Sequence, residues 1–263
     1  MTGERQWRDR FMLVGPERVC YAGLLGRPQE RLSGAFTIYT ALEGELNISI
    51  EGGPVRSSEL AVVPPFTAHS MTSACRDVCT VLIETESVDR NELQDLASLS
   101  EEAAGRHMAQ RIRSAYSSLL TMPRKDGFTT TEFDRLFFDA PLAARRLDRR
   151  VARVTARLQG QFDDALAAPD CARAANLSLS RFLHLFKDET GFPFRALRAW
   201  KRARNLLHFA NQDINLAHLA LDLGYPDSTH FSHSIRRFYG LQPREIFSGS
   251  RRLQIFRSEA SAR

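Results

Sequence analysis

The first part of the chain contains short segments in which apolar and polar residues alternate. Up to about residue 86, the runs AFTIYTAL, ELNISI and VCTVLIE are rich in β-branched and aromatic residues, and turn sequences such as EGGP separate them. In ELNISI, Leu46, Ile48 and Ile50 alternate with Asn47 and Ser49, which is typical of a strand with one buried face. The pattern predicts a half-buried antiparallel sheet, folded as a small barrel or sandwich.

The middle of the chain changes to helical spacing. Between about residues 88 and 158, two apolar stripes recur at intervals of three and four residues, as on one face of a helix. The first stripe comprises Met108, Ile112, Tyr116 and Leu119, and the second comprises Leu147, Val151, Val154 and Leu158. Each stripe either packs on its own domain or pairs two subunits, and the sequence leaves both alternatives open.

The last third of the chain contains an internal repeat. SLSRFLHLFKDETG, from residue 178, aligns with DSTHFSHSIRRFYG, from residue 227, at an offset of 49 residues. The aligned pairs are Phe182 with Phe231, His184 with His233, Phe186 with Ile235, Lys187 with Arg236 and Gly191 with Gly240. In the second copy, the polar face offers hydroxyl, imidazole and guanidinium groups instead of the Lys and Glu pairs of an ordinary surface helix. This composition predicts a helix face that recognises another molecule.

Each copy carries the signals of a helix preceded by a tight turn. Ser178 and Asp227 are N-cap candidates, and the glycine that ends each copy suits a helix C-terminus. Upstream, Ala172 and Ala220 lie four residues before turns expected at Asn176 and Gly224. Small residues at these positions let two helices approach closely, so the pattern predicts two helix-turn-helix units.

A linker helix that begins after Pro193 is expected to join the two units. Its apolar side comprises Leu197, Trp200, Leu206 and Leu207, and its expected polar side comprises Arg195, Arg198, Lys201, Arg202 and Arg204. A connector of this length would separate the helices of the two repeat copies by roughly one turn of a DNA duplex.

Composition and charge narrow the function classes. The chain has 263 residues, of which 43% are hydrophobic and 25% charged, as expected for a globular protein of two domains. From residue 170 onward the formal net charge is +7, whereas the preceding residues carry −2, so a polyanion would be attracted to the last third. The sequence contains no apolar run long enough to predict a membrane span, and the opening MTGERQWRDR is too polar for a signal peptide. The expected location is therefore the cytoplasm.

Residues 158 to 247 resemble the AraC/XylS family of transcriptional regulators. The resemblance runs through FLHLFKDETG, RARNLL and LALDLGYPDSTHFSHSIRRFYGLQPREI, in the order and spacing of that family. It implies a DNA-binding regulator, an activator by family precedent, that binds double-stranded promoter DNA, acts with RNA polymerase and forms a homodimer. Two histidines, His184 and His233, stand where the family often has arginine. A neutral imidazole makes one hydrogen bond where arginine contacts guanine twice, so the preferred bases should differ.

The resemblance also implies which residues meet DNA. Base contacts would fall on residues of both repeat copies, namely Ser180, Leu183, His184, Ser228, Thr229, Ser232 and His233. Phosphate contacts, which fix the register on the duplex, would fall on Arg181, Lys187, Arg236 and Arg237.

The first part of the chain resembles the cupin-like effector domain of many family members. Gly44, Pro64, Pro65 and His69 support this resemblance. The region YTALEGELNISIEGG lacks the histidines of a cupin metal site, so a cupin enzyme is disfavoured. We expect no catalytic residues, metal or cofactor, and we expect His69 to be structural. Cys75 and Cys79, in a C-x3-C spacing without a partner pair, do not predict a zinc site.

The expected effector is a small molecule bound by the first domain. The candidate residues are Arg27, Arg31, Tyr39 and His69. Arg27 and Arg31 lie four residues apart in an expected loop and resemble the arginine pair of nucleotide-binding PilZ domains, so a nucleotide such as cyclic di-GMP is one alternative. Control by a protein partner without a small-molecule effector is the other alternative.

These observations predict an α+β chain of two domains. Residues 1–87 are expected to form the cupin-like domain, 88–157 a helical dimerisation or linker region, and 158–263 the DNA-binding domain. Within the last region, the helix-turn-helix units are expected at about 165–191 and 215–240, with the linker helix at about 193–210.

Overall fold

The computed structural model describes residues 10–75, 77–99, 102–121, 126–160, 166–250 and 253–258. The first nine residues, which carry most of the polar opening sequence, lie outside the described residues, as does residue 165 at the expected start of the first helix-turn-helix unit. The strands are β1 (Phe11–Val14), β2 (Arg18–Leu24), β3 (Phe36–Ala41), β4 (Leu46–Ile50), β5 (Arg56–Ser58), β6 (Leu60–Val63), β7 (His69–Ser73), β8 (Asp77–Ile83) and β9 (Gln254–Arg257).

The strands form two sheets. One has six strands in the order β6-β3-β8-β2-β1-β9, and the other has three in the order β5-β4-β7. Within the described part of the chain these sheets do not close into one barrel, so the barrel of the expected barrel or sandwich is not confirmed. An α+β fold with N-terminal sheets and C-terminal helices is confirmed.

The central strands are buried on both faces, and this differs from the expected half-buried sheet. All six residues of β3 are buried, whereas β4 of the small sheet keeps an alternating pattern. The cause is that helices cover the large sheet from two sides. One face packs Phe36, Ile38 and Val81 against the middle helices, while Met12 and Leu82 on the other face pack against the C-terminal helices.

Ten helices are present among the described residues. They are α1 (Arg90–Ser98), α2 (Glu102–Thr121), α3 (Thr130–Phe138), α4 (Arg149–Gly160), α5 (Ala168–Ala174), α6 (Leu179–Thr190), α7 (Phe194–Arg204), α8 (Leu216–Asp222), α9 (Ser228–Tyr239) and α10 (Pro243–Ser250). Short 3₁₀ turns cover Thr85–Ser87 and Asn205–Phe209. In the described part of the chain, no helix combines the length and the apolar character needed to cross a membrane.

The apolar stripes of the middle region are buried inside the chain. Ile112 and Leu119 of α2 pack on the large sheet. Val151 and Val154 of α4 belong to the core of the C-terminal helices. Both stripes are therefore used within one subunit, and dimerisation through them stays a prediction.

The end of the described chain returns to the sheet of the N-terminal half. Strand β9 pairs in parallel with β1, with Phe11 opposite Gln254 and Val14 opposite Arg257. One hydrophobic core then joins Val14 and Val19 of the sheet to Trp200 and Phe238 of the C-terminal helices. The two halves are thus connected by a shared core as well as by the chain.

Candidate functional site

Two helix pairs, α5 with α6 and α8 with α9, repeat the same local geometry. The turn within the first pair has Asn176 at φ 53°, and the turn within the second has Gly224 at φ 74°. These are left-handed conformations that asparagine and glycine tolerate best. Ala172 and Ala220 are buried four residues before the turns, where their small side chains permit close helix packing. The turn positions expected from the sequence are confirmed.

The second helix of each pair is capped at both ends as expected. The side chain of Ser178 accepts a hydrogen bond from the backbone N–H of Arg181 at 3.3 Å. Asp227 accepts from the N–H groups of Thr229 and His230, each at 2.8 Å. Both helices end at a glycine with positive φ, Gly191 and Gly240, and such C-termini are common for helices in proteins. We call α6 and α9 the reading helices.

The buried faces of the reading helices match at two aligned positions. Phe182 and Phe231 are 0% and 1% exposed, and Phe186 and Ile235 are both fully buried. The opposite faces are exposed at positions i, i+3, i+4 and i+7. These positions are Ser180, Leu183, His184 and Lys187 in α6, and Thr229, Ser232, His233 and Arg236 in α9. Each reading helix therefore presents one outward stripe that is polar except at Leu183 and ends in a basic residue.

The other predicted DNA contacts lie beside these stripes. Ser228, Arg181 and Arg237 are exposed. The backbone carbonyl of Arg237 accepts a hydrogen bond from the N–H of Leu32 at 3.0 Å, so α9 touches the N-terminal half next to its outward face. The roles of these residues on DNA stay predictions.

Part of the expected polar face of the linker helix α7 is buried. Lys201 and Arg204 were expected to be solvated, but both are 3% exposed. Lys201 Nζ lies 2.6 Å from a carboxylate oxygen of Glu84 and also pairs with Glu86, and Arg204 Nε lies 2.6 Å from Glu84. The indole N–H of Trp200 donates to Glu84 at 3.1 Å. Burial of these charges is tolerable because each has an opposite charge beside it.

The sequence pattern did not predict this buried charge network, which is formed by Glu84, Glu86, Lys201 and Arg204. The helical period alone places Lys201 and Arg204 near Leu197, but nothing local shows that acids 115 or more positions away come to meet them. The two acids follow directly after β8. The local signal is a pair of acids separated by one residue, just after an apolar strand, and such pairs are common at protein surfaces.

A cavity of about 320 Å³ lies between the large sheet and the C-terminal helices. Three of the four expected effector residues, Arg27, Arg31 and Tyr39, line it. Its walls are mostly apolar, with Met12, Val19, Leu82, Trp200, Leu207 and Phe238 among them. Ligand pockets in proteins have this character, with volumes of about 300–1,000 Å³.

His69, the fourth candidate, holds Tyr39 in place instead of lining the cavity. Its Nδ1 lies 2.9 Å from the carbonyl oxygen of Thr67, which can only accept, so Nδ1 carries the proton. Nε2 then accepts from the Tyr39 hydroxyl at 2.9 Å. Burial lowers the pKa of His69 to about 4, against the raising effect of the Thr67 carbonyl, so the ring is neutral. Within the described residues, no three His, Cys, Asp or Glu side chains converge as metal ligands.

Comparisons with known proteins agree with this geometry. Residues 171–249 match the family described as a helix-turn-helix domain. The chain is 30% identical over 156 residues to the HTH-type transcriptional activator RhaS of Escherichia fergusonii, an alignment that covers 54% of this chain and 55% of that protein. The chain thus spans about half the length of this relative. The structure is similar to that of ToxT from Vibrio cholerae, with a TM-score of 0.51 and 10% identity over 88% of this chain and 98% of that chain.

Proposed function

The chain belongs to the AraC/XylS family of transcriptional regulators, and from that premise we propose that it binds promoter DNA through both helix pairs and activates transcription. The observation that carries the proposal is the equivalence of the outward stripes of α6 and α9. Both stripes use the same four helical positions, are exposed, and belong to helices capped in the same way. The two pairs act as two helix-turn-helix units.

The exposed residues in and beside each stripe divide into two roles. Ser180, Leu183 and His184 contact bases in one major-groove segment, and Ser228, Thr229, Ser232 and His233 contact bases in the next. Short side chains with hydroxyl or imidazole groups suit single hydrogen bonds to base edges, and Leu183 suits a thymine methyl group. Arg181, Lys187, Arg236 and Arg237 contact phosphates and fix the register. The net charge of +7 from residue 170 onward supports this assignment.

The N-terminal half acts as a cupin-like effector domain in this proposal. The cavity supports a small-molecule effector because it gathers Arg27, Arg31 and Tyr39 at the boundary with α9 and α10. A ligand there touches both halves and would alter how the reading helices are presented. A homodimer in the cytoplasm that acts with RNA polymerase completes the proposal, by the family resemblance. No catalytic step is part of it.

The experiment is selection of genomic DNA fragments by the purified full-length protein at one fixed salt concentration, followed by sequencing. We expect a site with two short elements about one duplex turn, ~34 Å, apart. His184→Ala should relax preference in one element and His233→Ala in the other, whereas Arg56→Ala, at an exposed position of β5, should leave the site unchanged. Recovery of no consensus, with binding that vanishes as salt rises, would contradict sequence reading by the two units.

A further inference from the structure

A histidine in the first turn of α9 is oriented by the residue that caps the helix. Oδ1 of Asp227 accepts from the backbone N–H groups of Thr229 and His230, each at 2.8 Å. Its second oxygen, Oδ2, lies 2.8 Å from Nδ1 of the His230 ring. One carboxylate therefore caps the helix and also fixes the direction of the imidazole.

This pair determines which ring nitrogen carries the proton. Hydrogen bonds from the backbone N–H of His230 and then from its ring lower the pKa of Asp227, so the carboxyl group is ionised near neutral pH. Because a carboxylate can only accept, Nδ1 of His230 carries the proton, and Nε2 of the neutral ring is an acceptor. The His230 side chain is 69% exposed, so a molecule outside the chain can reach the ring.

The two reading helices differ at this position. At the offset of 49 residues, His230 of α9 aligns with Arg181 of α6. The cap of α6 is Ser178, whose single side-chain oxygen accepts from the Arg181 N–H, and a guanidinium has no acceptor. His230 lies three residues before His233 of the outward stripe, and residues at this spacing are neighbours on a helix. The first turn of a reading helix is the part that approaches base edges.

We propose that His230 reads one base of the second DNA element through Nε2, which accepts a hydrogen bond from the exocyclic amino group of cytosine or adenine. This inference rests on the proposed function, because it requires α9 to lie in the major groove. Cytosine and adenine present an amino donor there, whereas guanine and thymine present a carbonyl acceptor in its place. Two acceptors that face each other share no hydrogen, so the ring disfavours guanine and thymine. Asp227 is a positioning residue, since it acts through the ring.

Asp227→Asn reverses the ring without removing the cap. Asparagine is as good an N-cap as aspartate, but its amide group donates to Nδ1 and so moves the ring proton to Nε2. Nitrogen NMR of the full-length protein with labelled histidine, at about pH 8 where imidazole is normally neutral, reports the protonated nitrogen. The His230 signal is the one that His230→Ala removes. We expect the proton on Nδ1 in the unaltered protein and on Nε2 in Asp227→Asn, and a proton on Nε2 in the unaltered protein would overturn the inference.

Base preference tests the same residue on DNA. On the selected site and its single-base variants, His230→Ala should lower discrimination at one position of the second element by about fivefold. Asp227→Asn should move the preference at that position to guanine or thymine, because Nε2 then donates. Two controls should leave the second element unchanged. They are Ser178→Asn, the same cap substitution in α6, and His107→Ala, at an exposed position of α2.

Removal of the amino group alone identifies the contact. Pyrimidinone in place of cytosine, or purine in place of adenine, should weaken binding of the unaltered protein by about fivefold and should not weaken binding of His230→Ala further. Uniform weakening of all sequences by His230→Ala would indicate a phosphate contact and overturn the inference. A consensus that His230→Ala leaves unchanged would overturn this inference alone, whereas the absence of any consensus for the unaltered protein would overturn the proposed function as well.

Discussion

The two reading helices have the same outward chemistry but different attachments to the N-terminal half. Helix α6 is held at its C-terminal end, where Arg90 donates to the carbonyl of Asp188 and the Asp148 N–H donates to Glu189 at 2.6 Å. Helix α9 is held near its C-terminal end, where the carbonyl of Arg237 accepts a hydrogen bond from the N–H of Leu32 at 3.0 Å. Its Phe238 ring also packs on Trp200 of the linker helix, with centroids 5.5 Å apart. Both helices bury their apolar faces in one core, but only α9 also contributes described residues to the cavity.

This difference indicates which helix responds to the N-terminal half. Tyr239 and Phe238 of α9 line the cavity, and no residue of α6 is among its described lining residues. A change in the cavity therefore acts first on α9. We expect the second DNA element to depend on the effector more than the first.

The largest expected effect comes from Glu84, which connects the sheet half to the linker helix. Its carboxylate is 1% exposed and lies beside Lys201, Arg204 and Trp200. Glu84→Ala leaves buried positive charge without its main partner and should lower the free energy of unfolding by about 3–5 kcal/mol. Chemical denaturation of the full chain measures this loss.

A matched control for Glu84 is an acid of a more exposed ion pair. Glu59 pairs with Arg113 at 2.5 Å, and their side chains are 32% and 28% exposed. Glu59→Ala should cost about 0–1 kcal/mol. Equal losses for the two variants would mean that the buried charge network does not hold the halves together. Hydrogen exchange should rise more in α9 than in α6 of Glu84→Ala, because α9 packs on Trp200.

Substitutions in the outward stripes test whether the two reading helices are equivalent on DNA. His233→Ala and His184→Ala should each relax preference at one base position, with about 1–3 kcal/mol lost for the preferred base. Arg236→Ala and Lys187→Ala should weaken binding to all sequences alike and reduce the salt slope by about one. Salt-dependent titrations on the selected site and on single-base variants measure both quantities. A uniform loss with all four variants would contradict the division of roles.

His69, which is buried, and His208, which is partly buried, predict a pH dependence of stability. Burial lowers the pKa of His69 to about 4, and burial with nearby Arg204 and Arg257 lowers the pKa of His208 to about 4. Their ordinary value is 6.5, so between about pH 6.5 and 4 the unfolded chain binds more protons than the folded chain. The free energy of unfolding should therefore fall as pH decreases through this range, by about 1–2 kcal/mol per histidine at pH 5.

Single substitutions assign that pH dependence to its source. His69→Asn and His208→Asn should each flatten the dependence of unfolding free energy on pH, measured by denaturation between about pH 4.5 and 7.5. An unchanged slope in both variants would show that other groups are responsible.

What the sequence predicts well is whatever a short stretch determines by itself. Caps at Ser178 and Asp227, turns at Asn176 and Gly224 and the buried faces of both reading helices follow from local chemistry, and the structure confirms them. The burial of Lys201 depends on Glu84, which is 117 residues away, and no local pattern contains that information. For the same reason the sequence offers Arg31 as a candidate but does not show that it is buried.

The smallest expected effect concerns the two turns, which reach the same left-handed conformation with different residues. Asn176 has φ 53° and Gly224 has φ 74°. Gly224→Ala should lower the free energy of unfolding by about 1–2 kcal/mol, because a Cβ is disfavoured in this conformation. Gly224→Asn copies the first turn and should cost less, and Asn176→Gly should change stability by less than about 0.5 kcal/mol. If Ala and Asn at 224 cost the same, side-chain space and not backbone conformation limits the second turn, and the two helix pairs are less alike than their dihedral angles indicate.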